Sequence, residues 1–408
     1  GTCATDAAEW PELAAVSATV RQFGLDALER GLGRRPVGAK ESRVATILAS
    51  IGEGDYGEIT RLRLDFSGGE SASYISKRVR PKDERKVKPG ALHLAEHRRF
   101  LRSFVVEVAA YRELERPLAS AGVVIPRTFL LPTPGVGEPF ILLMEDLTQR
   151  YPRGANGQVR QMVRKETRSA LRWLAGFHAA FWEKPKAEER GLFKRGAYWI
   201  LDELGYLELE SVPDAYKNRY INNFEWRRLR AAAPAIDSRL AGRSAAGSSH
   251  EPPSPRHRTL VHGDSKEENI LCSPVPQGGR GGENIECAGI DFSWTGEGYG
   301  MYDVMYLLWG EMADNMVDEH LEHYYSELTE RLPHRARATY TPQVAKKHFE
   351  LCVLDFLRWW AGFRGGEHFW AMPWAIDIMR QALDRLDGGR LLPPEAYKAA
   401  VDREYPLD

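Results

Sequence analysis

At 408 residues, 43% hydrophobic and 28% charged, the chain is longer than one hydrophobic core usually organises, and its globular composition excludes disordered and collagen-like classes. The 56 Lys and Arg against 57 Asp and Glu give a formal net charge of −1, which excludes a dedicated nucleic-acid or membrane-surface binder. No apolar run reaches 18 residues, so no membrane span is expected.

In chain order, residues 9–31 carry helical spacing (Leu13, Val16, Val20, Phe23, Ala27), and Gly33, Pro36 and Gly38 read as a linker. Strands are predicted at 44–48, around the alternating Leu62, Leu64 and Phe66, and at 73–77. A helix over 95–116 follows (Phe100, Phe104, Val108, Tyr111), then strands at 123–125 and 140–144. Beyond that the pattern is mostly helical, near 160–184, 215–232, 301–331, 343–363 and 374–387. Two segments rich in Gly, Ser and Pro, 241–258 and 273–284, read as exposed loops, the second as a hairpin tip. A β-rich front third followed by a mainly α remainder predicts an α+β fold of two lobes.

Cys3, Cys272, Cys287 and Cys352 show no C-x-x-C spacing, so neither a disulfide framework nor a cysteine zinc site is expected. The first residues lack the basic and apolar regions of a secretory signal. The cytosol is the expected compartment, with an organelle reached through a removed targeting peptide as the alternative.

Gly52, Gly54 and Gly57 form a G-x-G-x-x-G. A dinucleotide fingerprint must open a helix, but an alternating strand follows here. A glycine loop between two strands instead suits the covering of nucleotide phosphates by backbone N–H groups. Lys77 ends the next strand, and Glu107 lies on the following helix, with Glu113 as a competitor; a strand lysine held by a helix glutamate is the ion pair that phosphate binding needs. The most specific signal is His262-Gly-Asp264 followed by Asn269, with apolar runs on both sides. In phosphoryl transfer such an Asp takes or orients the substrate hydroxyl proton and the Asn oxygen holds Mg²⁺. Asp291, after another apolar strand, suits a second Mg²⁺ ligand.

Taken together, these motifs resemble the aminoglycoside phosphotransferase and choline-kinase superfamily, which shares its core with protein kinases. The CHK, or ecdysteroid-kinase-like, branch is the nearest in pattern. The resemblance runs from about Ile47 to Arg364 and includes the segments 107–111, 142–147, 174–178, 261–269, 290–292 and 302–304. It implies a protein-kinase-like bilobal fold: an N-terminal extension over 1–40, a small lobe over 41–145 with an antiparallel sheet and one helix, and a large helical lobe over 146–408. It implies ATP and Mg²⁺ as cofactors and a small-molecule hydroxyl acceptor as partner; the sequence leaves the oligomeric state open, with a monomer as the default. Glu145 and Leu147 would present backbone groups to the adenine, Asp303 would hold the 262–264 backbone, His262 would be structural, and residues 174–178 would form a buried helix outside the site. One departure stands out: the CHK pattern usually places Trp two residues after the catalytic Asp, where this chain has Lys266.

Trp359, Trp360, Trp370 and Trp374 crowd into 16 residues with Phe363 and Phe369. Packing between helices is one reading; the other is an aromatic wall for an apolar or cationic acceptor, since ring faces attract cations by about 0.5–2 kcal/mol. On the second reading Asp355, Arg358, Trp360 and Phe369 line the acceptor pocket. A hydrophobic alcohol then ranks first, a choline-like amino alcohol second and an aminoglycoside last. Residues 77–102 hold ten Lys or Arg against three acids and read as a solvated face. Two rivals remain: a silent family member acting as a binding subunit, which the intact Lys77, Glu107, Asp264, Asn269 and Asp291 set opposes, and a protein kinase, for which no A-P-E-like anchor follows Asp291.

Overall fold

The computed structural model describes residues 17–48, 55–153, 162–212, 218–247, 254–274, 285–310, 314–363 and 369–407. Gly52 and Gly54 lie outside these residues, as do most of the 273–284 loop and the start of the expected 9–31 helix.

What remains of that first helix is two pieces, α1 (Ala18–Phe23) and α2 (Leu25–Leu32), separated by Gly24 at φ 76°. Both pack on the sheet: Val20, Leu25 and Leu28 share a cluster with Leu62, Leu64, Tyr74 and Leu143. The expected linker is instead the start of β1 (Pro36–Leu48), where a proline is tolerated because an edge strand leaves its donor side unpaired. β2 (Asp55–Phe66), β3 (Ser71–Val79), β4 (Thr128–Leu130) and β5 (Phe140–Glu145) complete an antiparallel sheet in the order β1-β2-β3-β5-β4. The long helix α3 (Ala91–Ser120) lies between β3 and β4 in the chain and buries Phe104, Val108, Tyr111 and Leu114. The expected 123–125 strand is reduced to one bridge between Val124 and Ala288.

The second lobe is helical. α4 (Arg164–Ala180), α5 (Glu203–Ser211) and α6 (Asn223–Leu240) come first; α6 starts later than its apolar spacing suggested because Asn222 and Glu225 form a reciprocal cap there. Two short hairpin-like ladders follow, β6 (Thr259–Val261) with β9 (Gly296–Gly298) and β7 (Ile270–Cys272) with β8 (Cys287–Gly289). Helices α7 (Met301–Leu308), α8 (Asp314–Arg331), α9 (His334–Thr339), α10 (Pro342–Gly362), α11 (Pro373–Asp387) and α12 (Pro394–Glu404) finish the chain. The fold is therefore the expected α+β arrangement, a sheet lobe with one long helix followed by a helical lobe. Among the described residues no helix is long and apolar enough to cross a membrane.

Candidate functional site

The site is assembled from both lobes. Lys77 sits opposite Ile59 on β2 and Leu142 on β5, so a central strand fixes its backbone on two sides. Its Nζ lies 2.6 Å from Glu107 Oε2 on α3 and 3.7 Å from Asp291 Oδ1. Burial disfavours the ammonium, but the two carboxylates outweigh it and raise its pKa. Glu113 lies elsewhere, 4.0 Å from Arg190, so the geometry selects Glu107. Gly57 belongs to β2 at φ 144°, where an added Cβ would lie 1.9 Å from the Arg78 carbonyl oxygen. The close strand approach accounts for this glycine without a phosphate.

The loop after β6 is held from below. Asp303, fully buried on α7, accepts the His262 N–H at 2.6 Å on Oδ2 and the Gly263 N–H at 2.9 Å on Oδ1. His178 Nε2 lies 2.9 Å from Asp303 Oδ2, and its Nδ1 lies 2.7 Å from Tyr324 Oη. His178, expected only as part of a buried helix, braces Asp303 from behind, and its signal in the sequence is a histidine on an otherwise apolar face. His262 is absent from the cleft lining, its Nε2 lying 2.9 Å from the Ile290 carbonyl. Gly263 has φ 82°, and a Cβ there would come within 2.1 Å of the Trp294 carbonyl oxygen, so a side chain is sterically refused in this loop.

Asp264 follows, 4% exposed. Its Oδ2 is engaged by Lys266 Nζ at 3.0 Å and Asn269 Nδ2 at 2.9 Å, while its Oδ1 is buried without a hydrogen-bond partner. Burial drives the carboxyl up, Lys266 pulls it back and Asp291 pushes it up again, leaving it at about 7. Asn269 also donates Nδ2 to the Asp264 carbonyl at 2.8 Å, which leaves its Oδ1 as the free donor atom for a metal. Asp291 takes a left-handed backbone, φ 62°, a conformation costing a non-glycine residue about 1–2 kcal/mol. Burial raises its carboxyl, but Lys77, Ser293 and Lys266 outweigh it and bring it to about 2, so it stays ionised. Among the described residues no three His, Cys, Asp or Glu cluster as a metal cage. Mg²⁺ needs none: it takes one or two protein oxygens and fills its shell with waters and phosphate oxygens, which fits the Asn269 and Asp291 oxygens.

A cleft of about 610 Å³ joins Lys77, Asp264, Lys266 and Asp291 to an aromatic end made by Tyr198, Trp294, Tyr306, Trp359, Trp360 and Phe363. Trp360 lines this cleft. The other three expected wall residues are corrected. Asp355 and Arg358 do pair at i, i+3, at 2.8 Å, but both are buried away from the cleft, where Tyr302 Oη donates to Asp355 and Arg358 donates to the Trp199 carbonyl. Their face of α10 packs on the helical core, and the ion pair neutralises itself there. Phe369 is likewise buried, edge-on to Tyr220 with ring centroids 5.7 Å apart, and is absent from the lining.

At the junction of the lobes, Glu145 ends β5 with its N–H on the Arg127 carbonyl, and Leu147 is buried against Tyr151, Leu271 and Ala288. Neither lines this cleft. The residue between them was missed by sequence reasoning: Asp146 accepts from Arg61 Nε at 2.7 Å, Ser73 Oγ at 2.6 Å and Thr148 Oγ1 at 2.6 Å, tying the junction to β2 and β3. Lys266, a departure from the family pattern in the sequence, is a partner of Asp264 in the fold.

Several solved structures are similar to this chain at low identity. A microcompartment-associated aminopropanol kinase is 16% identical over 88% of this chain and 92% of its own, with a TM-score of 0.41. An ethanolamine kinase of Plasmodium vivax is 10% identical over 90% and 85%, with a TM-score of 0.42, and a choline kinase of Streptococcus pneumoniae is 14% identical over 90% and 98%, with a TM-score of 0.38. No curated protein matches the sequence. The model of the phosphotransferase enzyme family matches residues 71–338, more than half of the chain and the stretch that holds Lys77, Glu107, Asp264, Asn269 and Asp291. The chain belongs to the phosphotransferase enzyme family.

Proposed function

We propose that the protein transfers the γ-phosphoryl group of ATP to the hydroxyl of a small, uncharged organic acceptor with an apolar body. The observation that carries this reading is Asp264 Oδ1, a buried carboxylate oxygen without a partner at the floor of an aromatic-walled cleft. A hydroxyl entering from the aromatic end supplies the missing hydrogen bond. Asp264 then takes the proton as the acceptor oxygen bonds to phosphorus and the bond from phosphorus to the departing nucleotide oxygen breaks. Lys266, on the other oxygen of Asp264, keeps the carboxylate oriented and adds positive charge beside the transferring group. Lys77, held by Glu107, binds the nucleotide phosphates. Asn269 Oδ1 and the Asp291 carboxylate would hold Mg²⁺, which when bound supplies neutralisation of the phosphate charge. Rate comes from alignment and charge placement, with no covalent enzyme intermediate.

The charges of the cleft support a neutral acceptor. Lys77, Lys82, Lys86, Lys88, Arg99 and Lys266 line it against Glu96, Glu208, Asp264 and Asp291, a poor host for a polycationic aminoglycoside. The face of Trp294 already carries the Arg99 guanidinium at 5.5 Å. A quaternary ammonium would add a further like charge to a cleft whose cationic side chains already outnumber its carboxylates. A choline-like acceptor thus ranks below a hydrophobic alcohol. The test is to incubate the protein with Mg·ATP and three acceptor sets (sterol-like and other neutral alcohols, amino alcohols, aminoglycosides) and to read phosphorylated products by mass spectrometry. Turnover confined to neutral alcohols is expected; turnover confined to cationic acceptors would overturn the ranking, and nucleotide binding without turnover on any set would favour a silent binding subunit.

A further inference from the structure

The hairpin that carries both proposed metal-holding residues has a feature that phosphoryl transfer does not use. Asn269 directly precedes β7, and Asp291 follows β8 after one intervening residue. Within the ladder, Cys272 stands opposite Cys287, fifteen positions further along the chain. The Cys272 N–H is given to the Arg153 carbonyl, whereas the next pair is hydrogen-bonded, Ser273 N–H to the Glu286 carbonyl at 2.9 Å. Cys272 and Cys287 therefore form a non-hydrogen-bonded pair, the position in an antiparallel ladder where opposed side chains come closest. Both side chains are buried, and their sulfurs are in contact at 2.7 Å. Cys352 is buried apart from them on α10.

We propose that Cys272 and Cys287 are a thiol–disulfide modification site, closing to an intramolecular disulfide by exchange with a small-molecule disulfide of the glutathione class and so stapling the hairpin between Asn269 and Asp291. One cysteine, as thiolate, attacks a sulfur of the small disulfide, forming a mixed disulfide and releasing one small thiol. The second cysteine, as thiolate, attacks the protein sulfur of that mixed disulfide and releases the other small thiol. The two protein sulfurs are oxidised, the small disulfide is reduced to two thiols, and the two protein protons end on those thiols. The hydrogen-bonded Cys272 sulfur and then burial hold the Cys287 thiol in its protonated form, so exchange proceeds through opening of the hairpin and is slow in the closed state. The ladder register already sets the two sulfurs face to face, so closing the bond leaves Asn269 and Asp291 in place and should preserve turnover.

The experiment uses the full chain as a Cys3→Ala variant, equilibrated with oxidised glutathione with and without urea at a concentration below the unfolding transition. The expected result is a mass two hydrogens lower, a non-reducing peptide map joining Cys272 to Cys287, faster closure in urea, and an unfolding midpoint about 3–6 °C above the reduced protein. Cys272→Ala should give at most a mixed glutathione disulfide on Cys287, with no change in midpoint of that size. Persistence of all thiols at equilibrium in urea, or a cross-link that maps to Cys352, would overturn the proposal.

Discussion

Replacing Asp303 by Asn changes one atom and tests how the loop that carries Asp264 is held. Three donors converge on this carboxylate: His262 N–H at 2.6 Å and His178 Nε2 at 2.9 Å on Oδ2, and Gly263 N–H at 2.9 Å on Oδ1. An amide has one acceptor oxygen. If it replaces Oδ2, the Gly263 N–H faces an NH₂ group; if it replaces Oδ1, the His262 N–H and the His178 ring do. Either way at least one charge-assisted hydrogen bond, worth about 1.5–3 kcal/mol, is lost and a buried donor is left unpaired, for a total of about 3–5 kcal/mol. The loop must shift to relieve the clash, and a displacement of about 1 Å at Asp264 should lower kcat roughly 10²-fold with nucleotide affinity retained. Urea unfolding at constant m-value reads the first number, and steady-state kinetics on the acceptor found above reads the second. A variant within about 0.5 kcal/mol of wild type, with unchanged kcat, would refute the claim that Asp303 positions the loop.

Lys77→Met should abolish productive nucleotide binding and destabilise the protein by about 3–5 kcal/mol, because Glu107 is left buried and unpaired; the Lys77→Met/Glu107→Leu double variant should recover stability without activity, as thermal melts and ATP titration will show. Burial raises the Glu208 carboxyl to about 7, with Arg358 and Arg99 only partly countering it. On Glu208 the folded state thus keeps a proton between about pH 4.5 and 7 that the unfolded chain has lost, and this group's contribution to stability falls as pH rises through that window, by about 3 kcal/mol, beside a fall of the same sign from Asp264. Glu208→Gln should remove the Glu208 share of this fall and leave that of Asp264, and unfolding curves at pH 5 and pH 8 with the same pH dependence as wild type would show the reasoning to be wrong. Trp360→Ala should raise the acceptor KM with little loss of stability, whereas Phe369→Ala should cost about 3–5 kcal/mol of stability and leave the acceptor KM alone; the reverse pattern would return Phe369 to the cleft wall.

The legible parts of the site were those in which chemistry and local pattern coincide. Asp264, Asn269 and Asp291 are spaced around short apolar strands, and Lys77 and Glu107 each follow from a strand or helix period, so residue type and period together singled out a set that the fold brings together. Asp355 and Arg358 show where that logic stops: i, i+3 spacing identified the pair but not the direction of its helix face, which is set by packing against Tyr302 and Trp199, residues distant in sequence. His178 and Asp146 were illegible for the same reason, since their partners come from other elements. Lys266 was read through a family pattern as an oddity, while a plain consideration of an ammonium two residues from a buried carboxylate would have paired them. In the fold, the break at Gly24 and the late start of α6 at Asn222 are local signals that apolar periodicity overrode.

The central claim is that Asp264 takes the hydroxyl proton in a cleft that holds nucleotide independently of it. Single-turnover phosphorylation by Asp264→Asn, with Mg·ATP bound before the acceptor is added, tests this most directly. The account predicts nucleotide affinity close to wild type, the same acceptor selectivity, and a transfer rate lower by roughly 10²–10⁴. Transfer at the wild-type rate would contradict it.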